Sequence, residues 1–383
     1  MKTTWVVVVV GLAAASVGCG HSGGGGGGGG TGGTGGGGGS GGAAVSFAAP
    51  IVSMGPTQAG GANPADEIAI ADFDGDGKLD VVQSSVGGVF YGVMAGGGDG
   101  SFAARSTGEM FGYGPTVADF DGDGKPDFAL GSSSVHTLYN RGSTFMESNT
   151  NVMSTAGITG VLGKDLTGDG KIDLVVSTSP YLAVLVNGGV VRYTMLQLAS
   201  AIVADDLDGD GKVDVAVLDS DQGPPEVSVF LGNGDGTLRA GQKVSVSVPS
   251  SLALGDLNGD GKADLVVPGG LSLVGVLLGN GDGTFAAHGT FPTRGLDDDI
   301  GAVALGDVNG DGHLDALALE TTGGTLYVLP GNGDGSFAAP VSFAVQTADE
   351  VRPTAFAVGD VNGDGKPDVV VAGGQQVSTL LGK

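Results

Sequence analysis

Asp72-Phe73-Asp74-Gly75-Asp76-Gly77-Lys78-Leu79-Asp80 packs four aspartates and two glycines into nine residues, and the arrangement recurs. Near copies begin at Asp119 (DFDGDGKPD), Asp165 (DLTGDGKID), Asp206 (DLDGDGKVD), Asp256 (DLNGDGKAD), Asp307 (DVNGDGHLD) and Asp360 (DVNGDGKPD). The seven starts lie 47, 46, 41, 50, 51 and 53 residues apart. A period of that size marks a propeller, a solenoid or an array, in which one small unit cannot bury its own apolar face alone.

Within each loop, side-chain oxygens fall at positions 1, 3, 5 and 9, with glycine at 4 and 6. Oxygens at alternate positions of a tight turn converge, position 7 can add its backbone carbonyl, and glycine at 6 permits the sharp bend. Hard oxygen donors without His or Cys select Ca²⁺ or Mg²⁺, and some five protein ligands favour calcium, because magnesium keeps much of its water. The candidate sets are Asp72, Asp74, Asp76, Lys78 and Asp80; Asp119, Asp121, Asp123, Lys125 and Asp127; Asp165, Asp169, Lys171 and Asp173; and Asp206, Asp208, Asp210, Lys212 and Asp214. They continue with Asp256, Asn258, Asp260, Lys262 and Asp264; Asp307, Asn309, Asp311, His313 and Asp315; and Asp360, Asn362, Asp364, Lys366 and Asp368. Up to seven calcium ions are expected. Thr167 stands at position 3 of the third loop, so blade three is expected to bind most weakly. His313 replaces lysine at position 7, where only the carbonyl is needed, and no loss is expected there. The lysine side chains are expected to face solvent and soften the charge. The bland alternative is a set of Asp-Gly hairpin turns without metal; against it, that many carboxylates close together would repel one another without a cation.

The loop is not an EF-hand. Position 12, glutamate in that motif, is Gln83, Leu130, Val176, Val217, Val267, Ala318 or Val371. In place of a following helix come short apolar and β-branched runs such as VVQ, FAL, LVV and VVVA, and similar runs precede the loops (EIAIA, AIVA, AVALG). These read as buried strands. A second half of each repeat is clearest in VFLGNGDGTL (229–238), VLLGNGDGTF (276–285) and VLPGNGDGSF (328–337), close in VMAGGGDGSF (93–102) and worn in LYNRGSTF (138–145). It reads as strand, tight turn, strand. Four strands per unit of this length predict an all-β, seven-bladed propeller. The last repeat stops at Thr379-Leu380-Leu381-Gly382-Lys383, and its missing fourth strand is found in Val45-Ser46-Phe47-Ala48-Ala49-Pro50-Ile51-Val52, which mirrors 336–342. Residues 45–53 are therefore expected to close the seventh blade and protect its edge.

These motifs resemble the FG-GAP / VCBS repeats, the calcium-loop β-propellers also found in integrin α-chains. The resemblance spans residues 45–383, and Phe102, Phe145, Phe285 and Phe337 match a core position of that family. It implies calcium on the face carrying the loops between first and second strands, and ligands, where known, on the opposite face. Thr167 and the worn second halves of repeats two and three depart from the pattern.

The remaining composition narrows the function. Net charge is −26, and 24 of the 42 acidic residues sit in the seven loops; seven divalent ions would bring the charge to −12. Nucleic acid is not an expected partner, since it requires a basic footprint. A single cysteine, Cys19, excludes an intrachain disulfide, and His21, His136, His288 and His313 lack zinc-ligand spacing. Lys2 precedes the apolar run Trp5–Val17, too short to span a bilayer, and this describes an export signal over 1–18. Ser16-Val17-Gly18-Cys19 resembles a bacterial lipoprotein signal with Cys19 as the lipidated residue; Ser16 departs from that pattern, and a plain signal peptide is the alternative. Residues 19–43 are a Gly-rich tether and 44–383 the propeller. The expected location is the outer membrane, through the lipid anchor, or outside the cell.

The P-loop, dinucleotide and G-x-S-x-G patterns fail for want of their residues or flanking elements. No catalytic residue is assigned. The expected function is a calcium-rigidified, monomeric scaffold that binds a protein or glycan through the non-calcium face. Gly289–Ile300, with Asp297-Asp298-Asp299, and Asp219–Glu226 are expected to be its longest inter-blade links. The alternatives are a polysaccharide lyase-like enzyme, for which the 5% aromatic content offers few sugar platforms, and a purely structural envelope component.

Overall fold

The computed structural model describes residues 44–383, apart from 56–66, 85–89, 111, 153–156, 179–180, 187–188, 195–198, 220–223, 248–249, 271, 294–299, 322, 346–352 and 375. Cys19 and residues 1–43, expected to be an export signal and a tether, lie outside the described residues.

The chain folds into seven four-stranded antiparallel sheets. Blade one runs Glu67–Ala71, Asp80–Ser84, Tyr91–Gly96 and Phe102–Gly108, in spatial order of sequence. Blades two to six repeat this order, with first strands at Tyr113–Ala118, Ile158–Lys164, Ala199–Asp205, Ala253–Gly255 and Ile300–Gly306. Blade seven combines Ala355–Gly359, Asp368–Gly373 and Gln376–Leu380 with Ile51–Met54 from the other end of the chain. Ile51 pairs with Thr379 and Met54 with Gln376, and Phe47 bridges Gly382 as Phe337 bridges Gly331. The closing segment predicted at 45–53 is thus a bridge at Phe47 followed by a strand displaced to 51–54. No helix among the described residues is long and apolar enough to cross a membrane.

Strand position sets burial. Every residue of the second strands Asp80–Ser84, Asp127–Gly131 and Asp264–Pro268 is buried, whereas the outer strands Phe102–Gly108 and Phe285–Pro292 are largely exposed after their first residue. Successive side chains of a strand point to opposite faces. Val81 therefore joins Val370 and Val377 of blade seven, while Val82 joins Phe128 and Leu130 of blade two. Both faces meet a neighbouring blade, which explains continuous apolar runs where a half-solvated sheet would alternate. One apolar layer fills each blade-to-blade interface, including the layer between blades seven and one that closes the ring. Phe102, Phe285 and Phe337 are buried in these layers, and Phe145 packs partly buried against Phe73 and Phe128.

Two sequence expectations about links are corrected. Asp219–Glu226 is not an inter-blade link: Asp214–Asp219 and Glu226–Gly232 are adjacent strands of blade four, with Asp219 paired to Glu226. Gly289–Pro292 belongs to the outer strand of blade five, so the link to blade six is shorter than read, and Asp297–Asp299 lies outside the described residues. Paired ends like Asp219 and Glu226 carry no distinct sequence signal of which strands they join, because the intervening Gly-Pro-Pro reads as a loop in either case.

Candidate metal centres

Each DxDGDGxxD loop joins the first and second strands of its blade. In all seven, the position-1 carboxylate is the hub. Asp72 Oδ1 accepts the N–H groups of Gly75 (2.7 Å) and Asp76 (3.1 Å), and Asp72 Oδ2 accepts that of Gly77 (2.8 Å). The same three contacts recur at Asp119, Asp165, Asp206, Asp256, Asp307 and Asp360. This wrapping requires a positive φ at position 6, +85° at Gly77, which explains glycine there.

Position 5 accepts the N–H of position 7 through Oδ1, as Asp76 does from Lys78 at 2.9 Å. Where position 3 is Asp or Asn, its Oδ1 accepts the N–H of position 5, as in Asp74 to Asp76 (3.2 Å) and Asn258 to Asp260 (2.9 Å). The Oδ2 atoms of positions 3 and 5 receive no backbone donor in loops one, two and four. In the third loop, the Thr167 hydroxyl donates to Asp165 Oδ1 at 3.3 Å, so it is spent on the hub.

Position 9 has a second task that the sequence reading missed. Asp264 is fully buried; its Oδ2 accepts the N–H of Leu257 (2.9 Å) and its Oδ1 that of Gly279 at the end of the third strand (2.8 Å). Asp80, Asp127, Asp214, Asp315 and Asp368 make the same pair of bonds. These aspartates tie the loop to the third strand of its own blade. The strand end must come close: a Cβ on Gly279 would lie 2.2 Å from the Ala263 carbonyl oxygen, so glycine is needed there. Burial, with the nearby loop carboxylates adding to it, pushes Asp80 and Asp315 up to about 6 and raises Asp127, Asp173, Asp214, Asp264 and Asp368 in the same direction.

The position-7 side chains do more than face solvent. Lys78, Lys125, Lys212 and Lys262 pair with the position-5 carboxylates of their own loops at 3.2, 2.9, 2.6 and 3.3 Å. The stems of Lys78, Lys212 and Lys262 cover Gly98, Gly234 and Gly281 of the second turn, and the His313 ring covers Gly333. No metal-ligand role is visible for these side chains, which leaves their carbonyls as the candidate donors.

The donor set fits a hard divalent cation. Carboxylate oxygens of Asp72, Asp74 and Asp80 lie within 4.8 Å of one another, as do those of Asp119, Asp121 and Asp127, and those of Asp206, Asp208 and Asp210. Crowded like charges and a buried carboxylate with a raised pKa are the condition a cation relieves.

In blades one, four, five and six a second Asp-Gly turn, between the third and outer strands, shares the face of the DxDGDGxxD loop. The Gly283 N–H of blade five donates to Leu207 O in the loop of blade four (3.0 Å), and Gly335 N–H of blade six to Leu257 O of blade five (3.2 Å). Asn140 Nδ2 of blade two likewise reaches Phe73 O of blade one (2.7 Å). On the opposite face, the Ser132–Ser134 hairpin of blade two holds a polar cluster. His136 Nε2 meets Ser132 Oγ (2.9 Å) and Ser134 Oγ (3.2 Å), and His136 Nδ1 meets Glu147 Oε1 (2.8 Å). Both serines are buried and the Ser132 N–H is bonded to Ser134 O, so the cluster braces the hairpin. A groove of about 290 Å³ runs beside the outer strands of blades four and five; among the described residues His288 is the one ionisable group lining it.

The FG-GAP-like repeat matches the chain over residues 72–130, 119–176, 206–267 and 307–371. Among solved structures, the crystal structure of BBS1N in complex with ARL6DN, soaked with lead, is similar with a TM-score of 0.60 at 14% identity, over 88% of this chain and 97% of that one. The mercury-soaked crystal of the same complex gives a TM-score of 0.62 at 13% identity over the same shares. At such identity the likeness concerns the fold. No curated protein matches the chain by sequence.

Proposed function

Because the chain belongs to the FG-GAP-like repeat family, we propose that it is a calcium-stabilised propeller that binds a protein or glycan partner. The observation that carries the calcium reading is the sevenfold hub. One carboxylate gathers three backbone N–H groups in every blade, and in loops one, two and four three carboxylates bring an oxygen within 4.8 Å of one another. Calcium would be held by the side chains at positions 1, 3, 5 and 9 and the carbonyl at 7. Bound there, it supplies the positive charge that the crowded carboxylates lack. Blade three, with the Thr167 hydroxyl turned to Asp165, is proposed as a weaker site.

Binding of a partner is proposed for the face opposite the loops, where the hairpins between second and third strands and the links between blades emerge. The likeness to BBS1N, whose crystal contains ARL6DN, supports a scaffold reading in which the propeller presents a surface. Export and anchoring through Cys19 would place that surface in the envelope or outside the cell, where extracellular calcium modules work at about 10⁻⁴–10⁻³ M.

The test is affinity capture with the purified chain from envelope and culture-fluid extracts, in calcium and then in EDTA. A protein or polysaccharide retained in calcium and released by EDTA is expected. A folded chain that retains nothing in either condition would favour the purely structural reading. Cleavage of a retained polysaccharide would favour the enzymatic one.

A further inference from the structure

Blade two departs from its neighbours at the turn between third and outer strands. Gly232-Asn233-Gly234-Asp235-Gly236-Thr237-Leu238 of blade four becomes Asn140-Arg141-Gly142-Ser143-Thr144-Phe145, one residue shorter. The two turns are otherwise equivalent: Arg141 N–H donates to Thr144 O at 2.9 Å as Asn233 N–H donates to Thr237 O, and Asn140 and Gly232 both donate to their position-9 aspartates. Where blades four, five and six place Asn233, Asn280 and Asn332, whose side chains stay within the turn, blade two places Arg141.

Its guanidinium turns into the loop. Arg141 Nη1 lies 2.6 Å from Asp121 Oδ2 and 3.3 Å from Asp123 Oδ2. These are the oxygens of positions 3 and 5 that no backbone N–H occupies; the partner oxygens, Asp121 Oδ1 and Asp123 Oδ1, already accept from Asp123 N and Lys125 N. The guanidinium also sits 5.5 Å from the centre of the Tyr139 ring, a cation–π contact that helps to steady it. Blade four offers an internal contrast: there Arg239 touches only the position-3 carboxylate, at Asp208 Oδ2 (3.2 Å), whereas in blade two Arg141 reaches both carboxylates and shares Asp123 Oδ2 with Lys125 Nζ (2.9 Å).

We propose that loop two carries its own cation: the Arg141 guanidinium spans the carboxylates that would otherwise face calcium, so blade two is the last blade to load. This rests on the calcium reading of the other loops. A divalent ion at Asp121 and Asp123 would share its ligands with a fixed positive charge, so it must expel Arg141 and break two charge-assisted contacts. The weakest site then lies in blade two rather than in blade three. There the arginine supplies, without calcium, charge balance to both carboxylates, beyond the single lysine pair that loops one, four and five also have.

The test is calorimetric titration of the full, metal-stripped chain with calcium alone, comparing the wild type with Arg141→Gln. The variant is expected to bind one further calcium per chain, or to tighten one site about tenfold or more, the equivalent of one charge-assisted hydrogen bond. It is also expected to melt lower than wild type in EDTA and to recover in calcium. A purely structural arginine would lower the melt equally in both conditions, with unchanged stoichiometry, and that would overturn the proposal. Should Arg141→Gln not fold, Arg141→Lys, which keeps a charge but not the fork, is expected to show a smaller tightening of the same site. A crystal of the unaltered chain grown in calcium separates the two readings. Ions in other loops with Arg141 still on Asp121 and Asp123 support the proposal. An equally occupied ion in loop two overturns the proposal alone, and no heat and no ions in any loop overturn the calcium reading with it.

Discussion

Asp80, Asp127, Asp214, Asp264, Asp315 and Asp368 sit where the loop, the second strand and the third strand meet, and each closes two backbone bonds that nothing else supplies. Asp264→Ala should therefore destabilise the chain even in EDTA, by about 1–3 kcal/mol for each of the two donors orphaned at Leu257 and Gly279. Asp260→Ala removes a carboxylate on the exposed side of the same loop and should leave EDTA stability far less changed than Asp264→Ala does, while losing one calcium by calorimetry. Urea denaturation with and without calcium separates the two. Thr167→Asp should strengthen calcium binding at blade three; an unchanged isotherm would count against it. The pH dependence follows from the same aspartates. Asp80 and Asp315 titrate near 6 in the folded chain, above the unfolded value of about 3.9, so the folded state binds more protons between those limits. In EDTA, stability should rise as the pH falls from 7 toward 4. Below that, Asp76, Asp123, Asp210 and Asp260, whose backbone and lysine partners lower them, lose their contribution and reverse the trend. Saturating calcium should remove the rise, because the cation keeps the carboxylates ionised. Melting curves across pH in both conditions check this.

At the scale of the element, the blade carries its DxDGDGxxD loop and the end of its third strand on one face and a hairpin on the other, with buried second strands between neighbouring layers. Phe128 of blade two is fully buried and meets Phe73, Tyr91 and Phe145 edge-on at 5.9, 5.3 and 5.0 Å. Phe128→Ala should cost about 3–5 kcal/mol, the range for an aromatic removed from a packed core, and denaturant midpoints measure it. Much of this was legible. Loop register, strand count and the buried character of the runs after each loop follow from spacing and β-branched content. The hairpin nature of Asp219–Glu226 was not legible, because a Gly-Pro-Pro stretch fits a link between blades as well as a turn within one. The second role of the position-9 aspartate was hidden for a related reason: its partner is a main-chain N–H, which every residue at that strand end possesses.

At the scale of the whole molecule, closure of the ring joins the two ends of the chain. Phe47 packs edge-on against Phe343 of blade six at 4.9 Å and is buried in the layer between blades six and seven. Removing residues 44–54 should expose the edge of Gln376–Leu380 and make the chain self-associate more than the intact one, which light scattering on both would detect. Calcium acts on the ring as a ligand of the folded state. Each occupied site should add about 1.4 kcal/mol at ten times its Kd, so several sites should move the melting temperature by many degrees between EDTA and millimolar calcium. An identical melt in both would contradict the metal reading for the molecule as a whole.

The sequence alone determined the seven loops, the four strands between them and the segment that completes the last blade, because these rest on local chemistry. A carboxylate capturing N–H groups three to five residues ahead, and glycine at positive φ, are properties of nine consecutive residues. The tertiary structure alone decided which oxygens remain free for a cation, which lysine stems cover the second turns, and that Arg141 enters the loop of Asp121 and Asp123. Those side-chain contacts join residues 18 to 22 positions apart across a blade, and in blade two they accompany a turn one residue shorter than in blade four.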